Sequence, residues 1–314
     1  MARFLTKGLV FVLATAALYV LGMTVLCRVK LGDHPLVLRT GDFYHARGGI
    51  AYAKFKEFDP AAHYDALVIG SSHAYRGYDP RIFAKHGLRI FNLGSSAQTP
   101  LNSFHVLKHH VAKGSRPLVI YDVYEGAFEN DGLESTSELV VNIGSDRAAL
   151  GMAWDLRDLR AINMLAVRFL LADGAPDHVD STYRAGGFAE RADSLREAVT
   201  YPRYDLTRMR KDQVEHLSRA LAWCREQELP VVLVSHYYPH QGDSLGHAAF
   251  AALIDSVRAP YSVPYIDLAF GHTLSDRDHF YDHNHLNQAG VERFNTELIP
   301  LLFDAGLLRR EGAE

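Results

Sequence analysis

Residues 66–73 read Ala-Leu-Val-Ile-Gly-Ser-Ser-His, and this stretch decides the fold because four apolar residues run straight into a polar turn. A short apolar run bounded by a turn is typical of a strand buried on both faces of a parallel sheet. We therefore expect a buried, mainly parallel sheet, with its other strands at four similar apolar runs. These are residues 89–93, 118–121, 231–234 and 264–268.

Helical patterns separate or follow these runs, at residues 80–86, 101–113, 209–228, 244–258 and 287–303. Regular alternation of strand and helix predicts an α/β fold of three layers, with a doubly wound sheet of the flavodoxin-like kind. In such sheets the ligand crevice lies beyond the carboxyl ends of the strands, so the loop with Ser72 is expected to face it. Between about 129 and 208 the alternation fails. We predict a mostly helical insertion there, with a helix near 157–172.

The first thirty residues predict a membrane anchor. From Gly8 through Cys27 no residue is charged, and twenty apolar residues are enough to cross a bilayer as a helix. The segment lacks the small-residue cleavage pattern of a signal peptide, so we expect it to be retained. We divide the chain into an anchor (1–27), a connector (28–63) and an α/β domain (64–314). A single-pass protein of the inner or cytoplasmic membrane, with its domain in the periplasm or outside the cell, is the expected arrangement.

Composition excludes other classes of protein. The chain has 314 residues, of which 48% are hydrophobic, which suits one sizeable domain. Its net charge of −4, without a cluster of basic residues, argues against nucleic acid as a partner. Two cysteines do not make a disulfide framework.

Three residues at opposite ends of the domain suggest nucleophilic catalysis. A serine hydroxyl needs an imidazole to take its proton, and a carboxylate to hold that imidazole in the right tautomer. Ser72 supplies the hydroxyl, while Asp282 and His285 are three residues apart and fit on one tight turn before the last helix. We therefore take Ser72, His285 and Asp282 as candidate catalytic residues.

On these residues the chain resembles the SGNH (GDSL-type) hydrolase superfamily, in which a Gly-Asp-Ser block holds the nucleophile and a late Asp-x-x-His block holds the base. The first block here is Gly70-Ser71-Ser72, so Ser71 replaces the usual aspartate. The resemblance spans roughly residues 64–303. With a membrane anchor, it is most similar to the envelope O-acyltransferase branch, which includes alginate O-acetylation proteins and the D-alanyl transfer protein of teichoic acid modification.

The resemblance also implies donors for an oxyanion hole. The family's second block is a glycine after the second strand, which matches Gly94, so the backbone N–H groups of Ser72 and Gly94 are candidates. The third block, Gly-x-Asn-Asp, is missing after the third strand, and Asn130 or Gln98 are the substitutes that the sequence offers. His73 and His236 are candidates for substrate binding.

A metal site is the competing interpretation of the chain's late segment. Six potential ligands crowd into ten residues, but a two-metal phosphoesterase needs further ligands at several strand ends, and the first strand here ends in Gly-Ser-Ser. We expect neither a metal nor another cofactor. The six residues are Asp276, Asp278, His279, Asp282, His283 and His285.

Three functions remain open at this point. The resemblance favours a serine O-acyltransferase that moves an acyl group, often acetyl, to a cell-envelope or secreted polysaccharide. It also implies a multi-spanning membrane acyltransferase as the partner that supplies the acyl group. The same residues would serve an esterase acting on an acylated glycan or lipid. The missing asparagine block leaves room for a non-catalytic scaffold of a polysaccharide-modification complex.

Overall fold

The computed structural model describes residues 1–32, 34–39, 47–171, 176 and 178–309. Its centre is a sheet of five parallel strands in the order β2-β1-β3-β4-β5. This is the flavodoxin-like order, and the predicted α/β fold with a mainly parallel sheet is confirmed. Each strand lies within about one residue of its predicted position: β1 (Ala66–Ile69), β2 (Ile90–Asn92), β3 (Leu118–Asp122), β4 (Val231–Ser235) and β5 (Tyr265–Asp267).

Thirteen α-helices are found among the described residues. They are α1 (Ala2–Arg28), α2 (Gly49–Glu57), α3 (Ser72–Gly77), α4 (Pro80–Ala84), α5 (Pro100–His110), α6 (Glu125–Glu129), α7 (Leu133–Asn142), α8 (Asp146–Leu156), α9 (Leu159–Leu170), α10 (Lys211–Glu226), α11 (Ser244–Arg258), α12 (Asp276–His279) and α13 (Gln288–Asp304). Short 3-10 turns lie at Leu36–Arg39, Leu206–Arg208 and Ala259–Tyr261. Two antiparallel ribbons pair Lys30–Leu31 with His34–Pro35 and Tyr183–Arg184 with Phe188–Ala189.

Alternating residues of the strands divide the core into two halves. Leu67 and Ile69 of β1 belong to one apolar cluster, which includes residues of α5 and α7–α10. Ala66 and Val68 point into a second cluster, which includes residues of α3, α4 and α13. Because side chains alternate between the faces of a strand, both faces of the sheet are covered and the domain has three layers.

The segment predicted as an insertion is more helical than the sequence indicated. The expected helix near 157–172 corresponds to α9, but α7 and α8 were not predicted. Their buried residues, such as Leu139 and Met152, pack into the same cluster as α5 and α10. Residues 172–175 and 177 of this segment lie outside the described residues.

The connector and the anchor also contain regular structure. Helix α2 lies within the connector, of which residues 33 and 40–46 are outside the described part. Helix α1 is long and apolar enough to cross a membrane by length and composition, a test that a signal sequence also passes. Its last turns pack on the domain, where Met23 and Cys27 are buried.

Candidate active site

The turn after β1 places Ser72 at the carboxyl end of the sheet. Gly70 has a φ of 146°, and a Cβ there would stand 2.8 Å from the carbonyl oxygen of Asp122, so only glycine fits without strain. Ser71 caps α3, because its side chain accepts the His73 N–H at 3.4 Å. Ser72 is the first residue of α3, next to the point between β1 and β3 where the strand order reverses. Ligands of doubly wound folds bind at this point.

A second turn presents the imidazole. Asp282 Oδ1 accepts the backbone N–H groups of Asn284 at 2.9 Å and of His285 at 2.8 Å, which closes the loop around the carboxylate. Asn287 then caps α13 by accepting the Gly290 N–H at 3.1 Å. His285 is thereby fixed between a hydrogen-bonded turn and a capped helix, on the tight turn before the last helix that the sequence predicted for Asp282 and His285.

The two turns bring three side chains into one hydrogen-bonded line. His285 Nδ1 donates to Asp282 Oδ2 at 2.8 Å, and Nε2 lies 2.7 Å from Ser72 Oγ. Because the carboxylate takes the Nδ1 hydrogen, Nε2 is left as the acceptor for the serine hydroxyl. This is the arrangement of a nucleophile, its base and the group that orients the base.

The local electrostatics keep the imidazole neutral and the carboxylate ionised. Burial lowers the pKa of His285 below its ordinary 6.5, and Asp282 only partly opposes that effect. Burial alone would raise the pKa of Asp282, but the hydrogen bond from His285, its charge and the two backbone N–H groups lower it to about 2. At neutral pH the pair is therefore in the form that accepts a proton from serine.

A stack of three imidazoles supports His285 from behind. The ring of His73 lies between His285, at 4.5 Å between ring centres, and His236, at 4.1 Å, and both pairs are nearly parallel. Burial, followed by the two neighbouring imidazoles, lowers the pKa of His73 well below its ordinary value, so this ring is neutral. Its Nε2 faces the Asn284 carbonyl oxygen at 3.1 Å. His73 thus ties the nucleophile turn to the histidine turn.

The burial of His73 and His236 corrects their interpretation as substrate-binding residues. They are only 2% and 1% exposed, because stacking places both rings inside the protein rather than at the crevice. His236 Nδ1 lies 3.1 Å from Asp122 Oδ2, and the same carboxylate oxygen accepts the Tyr78 hydroxyl at 2.9 Å. Asp122, the last residue of β3, thereby forms a second histidine–carboxylate pair beneath the first.

The candidate donors for the oxyanion hole differ in whether their N–H groups or side chains already have a hydrogen-bond partner. As the first residue of α3, Ser72 has an N–H that the helix leaves without an acceptor. The Gly94 N–H already donates to Asn92 Oδ1 at 3.1 Å. Gln98 is buried, and its amide donates to Ser103 Oγ at 3.0 Å. Asn130 ends α6, where its side-chain oxygen accepts the Gly132 N–H at 2.8 Å.

Gly94 has a clear structural duty. A Cβ there would lie 2.8 Å from the Cβ of Ala74 and 2.9 Å from the Gly70 carbonyl oxygen, so glycine lets the β2 loop touch the nucleophile turn. The Gly94 carbonyl accepts a hydrogen bond from the fully buried Lys54 of α2. Burial, opposed by Glu138, lowers the pKa of Lys54 to about 7. The connector therefore contributes a helix that braces the site.

Sequence reasoning missed the aromatic and basic groups on the open side of His285. The ring of Tyr281 stacks on His285 at 5.4 Å, with an interplanar angle of 12°. The guanidinium groups of Arg76 and Arg191 lie 5.5 and 5.0 Å from the centre of the Tyr281 ring. Tyr281 directly precedes the Asp-x-x-His block and Arg76 lies four residues after Ser72, on the same face of α3. These positions in the sequence could have indicated that Tyr281 and Arg76 lie near the site.

Four of the six potential metal ligands are engaged in other hydrogen bonds or with each other. Asp276 accepts from His240, and Asp278 bonds Ser275 at 2.8 Å. Asp282 and His285 bond each other. Among the described residues, no three His, Cys, Asp or Glu side chains are grouped to hold a metal ion.

Another buried histidine, on α11, has different surroundings. His247 of α11 lies between two carboxylates, with Nδ1 2.6 Å from Glu125 Oε1 and Nε2 3.0 Å from Asp267 Oδ1. Burial alone would lower the pKa of His247, but the two carboxylates outweigh it and raise the pKa to about 9. Glu125 also accepts a hydrogen bond from Tyr238, whose ring packs on His236. Sequence analysis assigned no role to His247.

Comparisons with known proteins return solved structures alone. No family model matches the chain, and no curated protein matches it. A lipase/acylhydrolase from Enterococcus faecalis is 14% identical with a TM-score of 0.39, over 79% of this chain and 99% of that one. A protein from Desulfitobacterium hafniense assigned to the lipolytic G-D-S-L family is 11% identical with a TM-score of 0.41, over 76% and 98%. LAE5, an α/β hydrolase from the metagenome of Lake Arreo, is 14% identical with a TM-score of 0.40, over 79% and 98%. Likenesses this distant do not assign an activity to the chain.

Proposed function

We propose that this protein is a serine acyl-transfer enzyme in which Ser72 is the nucleophile, His285 the general base and Asp282 the group that orients it. The observation that carries the proposal is the unbroken line from Ser72 Oγ to His285 Nε2, at 2.7 Å, and from His285 Nδ1 to Asp282, at 2.8 Å. Residues 213 positions apart meet in the geometry that serine activation requires.

The reaction proceeds in two steps. In the first, Ser72 Oγ attacks the carbonyl carbon of an acyl ester, His285 Nε2 takes the hydroxyl proton, and the leaving alcohol departs with that proton. In the second, an acceptor hydroxyl gives its proton to His285 and attacks the acyl-serine, and Ser72 recovers its proton as the ester bond breaks. The ionised Asp282 stabilises the imidazolium that forms in each step.

The developing oxyanion needs donors near Ser72. The Ser72 N–H, at the start of α3, is the first donor that we propose, since no intrahelical acceptor competes for it. Gly94 acts chiefly by allowing the β2 loop to approach, because its N–H is engaged by Asn92. Asn130 and Gln98 stay candidates for a further donor only if their present hydrogen bonds exchange.

The acceptor that we propose is a hydroxyl of a cell-envelope or secreted polysaccharide. Two features support this assignment: the resemblance to envelope O-acyltransferases at the Ser72 and Asp282–His285 blocks, and the apolar helix α1, which is long enough to anchor the protein in the inner or cytoplasmic membrane. In this scheme the domain lies outside the cytoplasm and a multi-spanning membrane acyltransferase supplies the acyl group.

Trapping the intermediate tests the proposed nucleophile. The full-length protein, incubated with an activated acetyl ester and quenched in acid, should yield a tryptic peptide carrying one acetyl group on Ser72. Ser72→Ala should abolish the label and the activity while leaving the thermal unfolding midpoint unchanged. Ser96→Ala, in the neighbouring loop, is the matched control and should keep the label. Unchanged activity in Ser72→Ala would show that Ser72 is not the nucleophile, whereas a wild type with neither label nor turnover would make a non-catalytic scaffold the better interpretation.

Hydrolysis is the second candidate, because the side chain of His285 is 15% exposed and water can reach the base. An esterase and a transferase share the acyl-serine and differ in what resolves it. The discriminating assay gives the protein an acyl ester with and without oligosaccharides. Acylated sugar supports transfer, whereas release of free acid at an unchanged rate supports the esterase.

A further inference from the structure

Helices α8 and α9 form a hairpin whose outer surface is apolar. Five large apolar side chains are between 48% and 82% exposed there, although the domain has a well-filled core elsewhere. Exposed apolar clusters of this kind usually mark a surface that another phase or molecule covers. The five exposed side chains of the hairpin are Leu150, Trp154, Leu159, Ile162 and Phe169.

The exposed residues are additional to the face that holds α9 on the domain. Ala161, Met164 and Val167 of α9 are buried and pack towards the core. Ile162 and Phe169 lie on another face of the same helix. A helix that is apolar on its inner and outer faces suits a position between a protein core and a second apolar environment.

That second environment is indicated by the contact between α9 and α1. The Tyr19 hydroxyl donates to Asn163 Oδ1 at 2.8 Å, and Arg28 Nε donates to the Leu170 carbonyl oxygen at 3.1 Å. The later contact residue of α1 pairs with the later contact residue of α9, so α9 runs parallel to the last turns of α1. The start of α9, near Leu159, therefore lies at the level of the middle of α1.

The length of α1 then fixes how deep the hairpin sits. The tip of the hairpin lies at the level of the middle of α1, so roughly 13 residues of α1, or about 20 Å of helix, precede it. The hydrocarbon core of a bilayer is about 30 Å thick. A span that begins near Ala2, with Arg3 and Lys7 reaching the headgroups, would therefore place the tip of the hairpin about 10 Å inside the membrane surface.

We propose that the tip of the α8–α9 hairpin enters the interfacial layer of the bilayer that α1 crosses, with Trp154 and Leu159 towards the acyl chains. This inference rests on the proposed anchoring by α1. The composition of the tip fits that layer, since tryptophan is enriched at membrane interfaces, and exposed arginines can snorkel to anionic headgroups. Arg157 and Arg160 flank the apolar residues, and Arg160 also pairs with Asp158 at 2.7 Å.

The lipid contact is continuous with the anchor. Met23 and Cys27 of α1 are buried against the domain, and the exposed apolar residues extend from α9 to α8. An open groove of about 580 Å³ lies beside them, lined by Leu150, Trp154, Leu159 and Ile162 among others. The hairpin thus holds the domain against the membrane surface rather than letting it swing on a flexible tether.

The chain has two tryptophans, so a Trp223→Phe variant reports on Trp154 alone. The full-length variant is reconstituted into vesicles of phosphatidylcholine and phosphatidylglycerol, with or without bromine atoms on the acyl chains near the headgroup. We expect brominated lipid to reduce the Trp154 emission at least twofold, with a blue-shifted maximum. Equal emission in both kinds of vesicle would overturn the proposal. So would a blue shift without quenching, since a protein partner would then cover the patch.

Two further single-tryptophan proteins separate the possible failures. Both carry Trp154→Phe and Trp223→Phe. Leu245→Trp places the probe on α11 at a residue that is 83% exposed, and its emission should not respond to bromine. Leu13→Trp places it in α1 and should be quenched by bromine deep in the bilayer. If Leu13→Trp is not quenched, the anchor itself fails. If it is quenched and Trp154 is not, only the docking of the hairpin fails. Should Trp223→Phe not fold, quenching of the wild type is compared with that of Trp154→Phe.

Discussion

His285 and His247 are both imidazoles held by carboxylates, yet their surroundings leave the first neutral and make the second a cation. His285 has one carboxylate, Asp282, and its other nitrogen meets the hydroxyl of Ser72. His247 has a carboxylate on each nitrogen, Glu125 and Asp267. The pKa of the first is lowered by burial, while the pKa of the second is raised to about 9 by its two partners.

The difference shows which histidine can do chemistry. A base needs a free lone pair near the pH at which it works, and the neutral His285 has that lone pair aimed at Ser72. The charged His247 has none, because both of its nitrogens donate. It acts as a cationic bridge that links α11 to the strand end of β5 and to α6. The group that faces the second nitrogen of the imidazole therefore decides its role. A hydroxyl there suits a base, as at His285, and a second carboxylate there suits a structural cation, as at His247.

Replacing His285 should give the largest effect on activity. Without a base at this position Ser72 keeps its proton, so His285→Ala should lower kcat by about 10⁴-fold, as expected for loss of a triad member. The measurement is the initial rate of ester turnover at pH 7.5. Stability should change little, since His285 is held by local bonds.

His247→Gln is the matched substitution for that experiment. It should keep more than a tenth of the wild-type kcat in the protein that remains folded. If the two variants lose activity equally at the same folded fraction, the distinction between the two histidines is wrong.

The meeting of Ser72, Asp282 and His285 could be predicted from the sequence because each of the two motifs is local. Gly70 to Ser72 follow a buried strand directly, and Asp282 lies one turn from His285, so spacing alone specifies both halves. The alternation of apolar runs with helical patterns likewise predicted the parallel sheet. Because each buried strand is a short apolar run bounded by polar residues, its first and last residues could be predicted closely. The burial of His73 and His236 could not be predicted in this way.

What the sequence could not predict depends on contacts between distant segments. The stack of His73 on His236 joins residues of α3 and of the loop after β4, and no local period encodes it. The raised pKa of His247 needs Glu125, more than a hundred residues earlier. Helices α7 and α8 interrupt the alternation of strand and helix, and their buried residues, such as Leu139 and Met152, join the cluster that α5 and α10 also line.

His247→Gln should instead give the largest effect on stability. Removing the cation leaves Glu125 and Asp267 without their shared partner, and Glu125 is fully buried. Breaking such a buried network costs about 3 kcal/mol or more of the free energy of unfolding. Urea titration at pH 7 measures it, with His63→Gln, an exposed histidine beside Asp65, as the control that should cost almost nothing. A loss below about 1 kcal/mol would contradict the bridge.

His247 should make the stability of the protein fall as pH rises, whereas His285 should make its activity rise. A group whose pKa is raised on folding stabilises fully below its unfolded pKa, near 6.5, and this contribution is lost as pH rises through about 9. The wild type should therefore lose about 3 kcal/mol between pH 6.5 and pH 10 through His247. His247→Gln should lack this component of the pH dependence. Urea titrations of both proteins across this range provide the measurement.

Activity should be limited from the acid side. His285 must be neutral to act as a base, and its pKa is lowered, so kcat/KM should rise with pH and reach half its maximum below pH 6.5. His247→Gln should leave that half-point within about 0.3 pH units, because the two imidazoles bond different carboxylates and only packed rings lie between them. A half-point above pH 7 would show that the triad imidazole is not shielded as the structure indicates.

The smallest effect is expected at His73, the ring that stacks on His285 without touching the reacting atoms. His73→Ala removes the stack and the bond to the Asn284 carbonyl, so the imidazole of His285 loses its lateral support, and kcat should fall about tenfold. His73→Phe restores a flat ring of similar thickness but lacks the ring's bonds to the Asn284 carbonyl and to Ser71 Oγ, which lies 3.1 Å from His73 Nδ1. If stacking positions His285, the phenylalanine variant should recover most of kcat with the same pH half-point as the wild type. If the hydrogen bonds matter more, phenylalanine should be no better than alanine, and the support of His285 would then belong to the link between the two turns rather than to the ring.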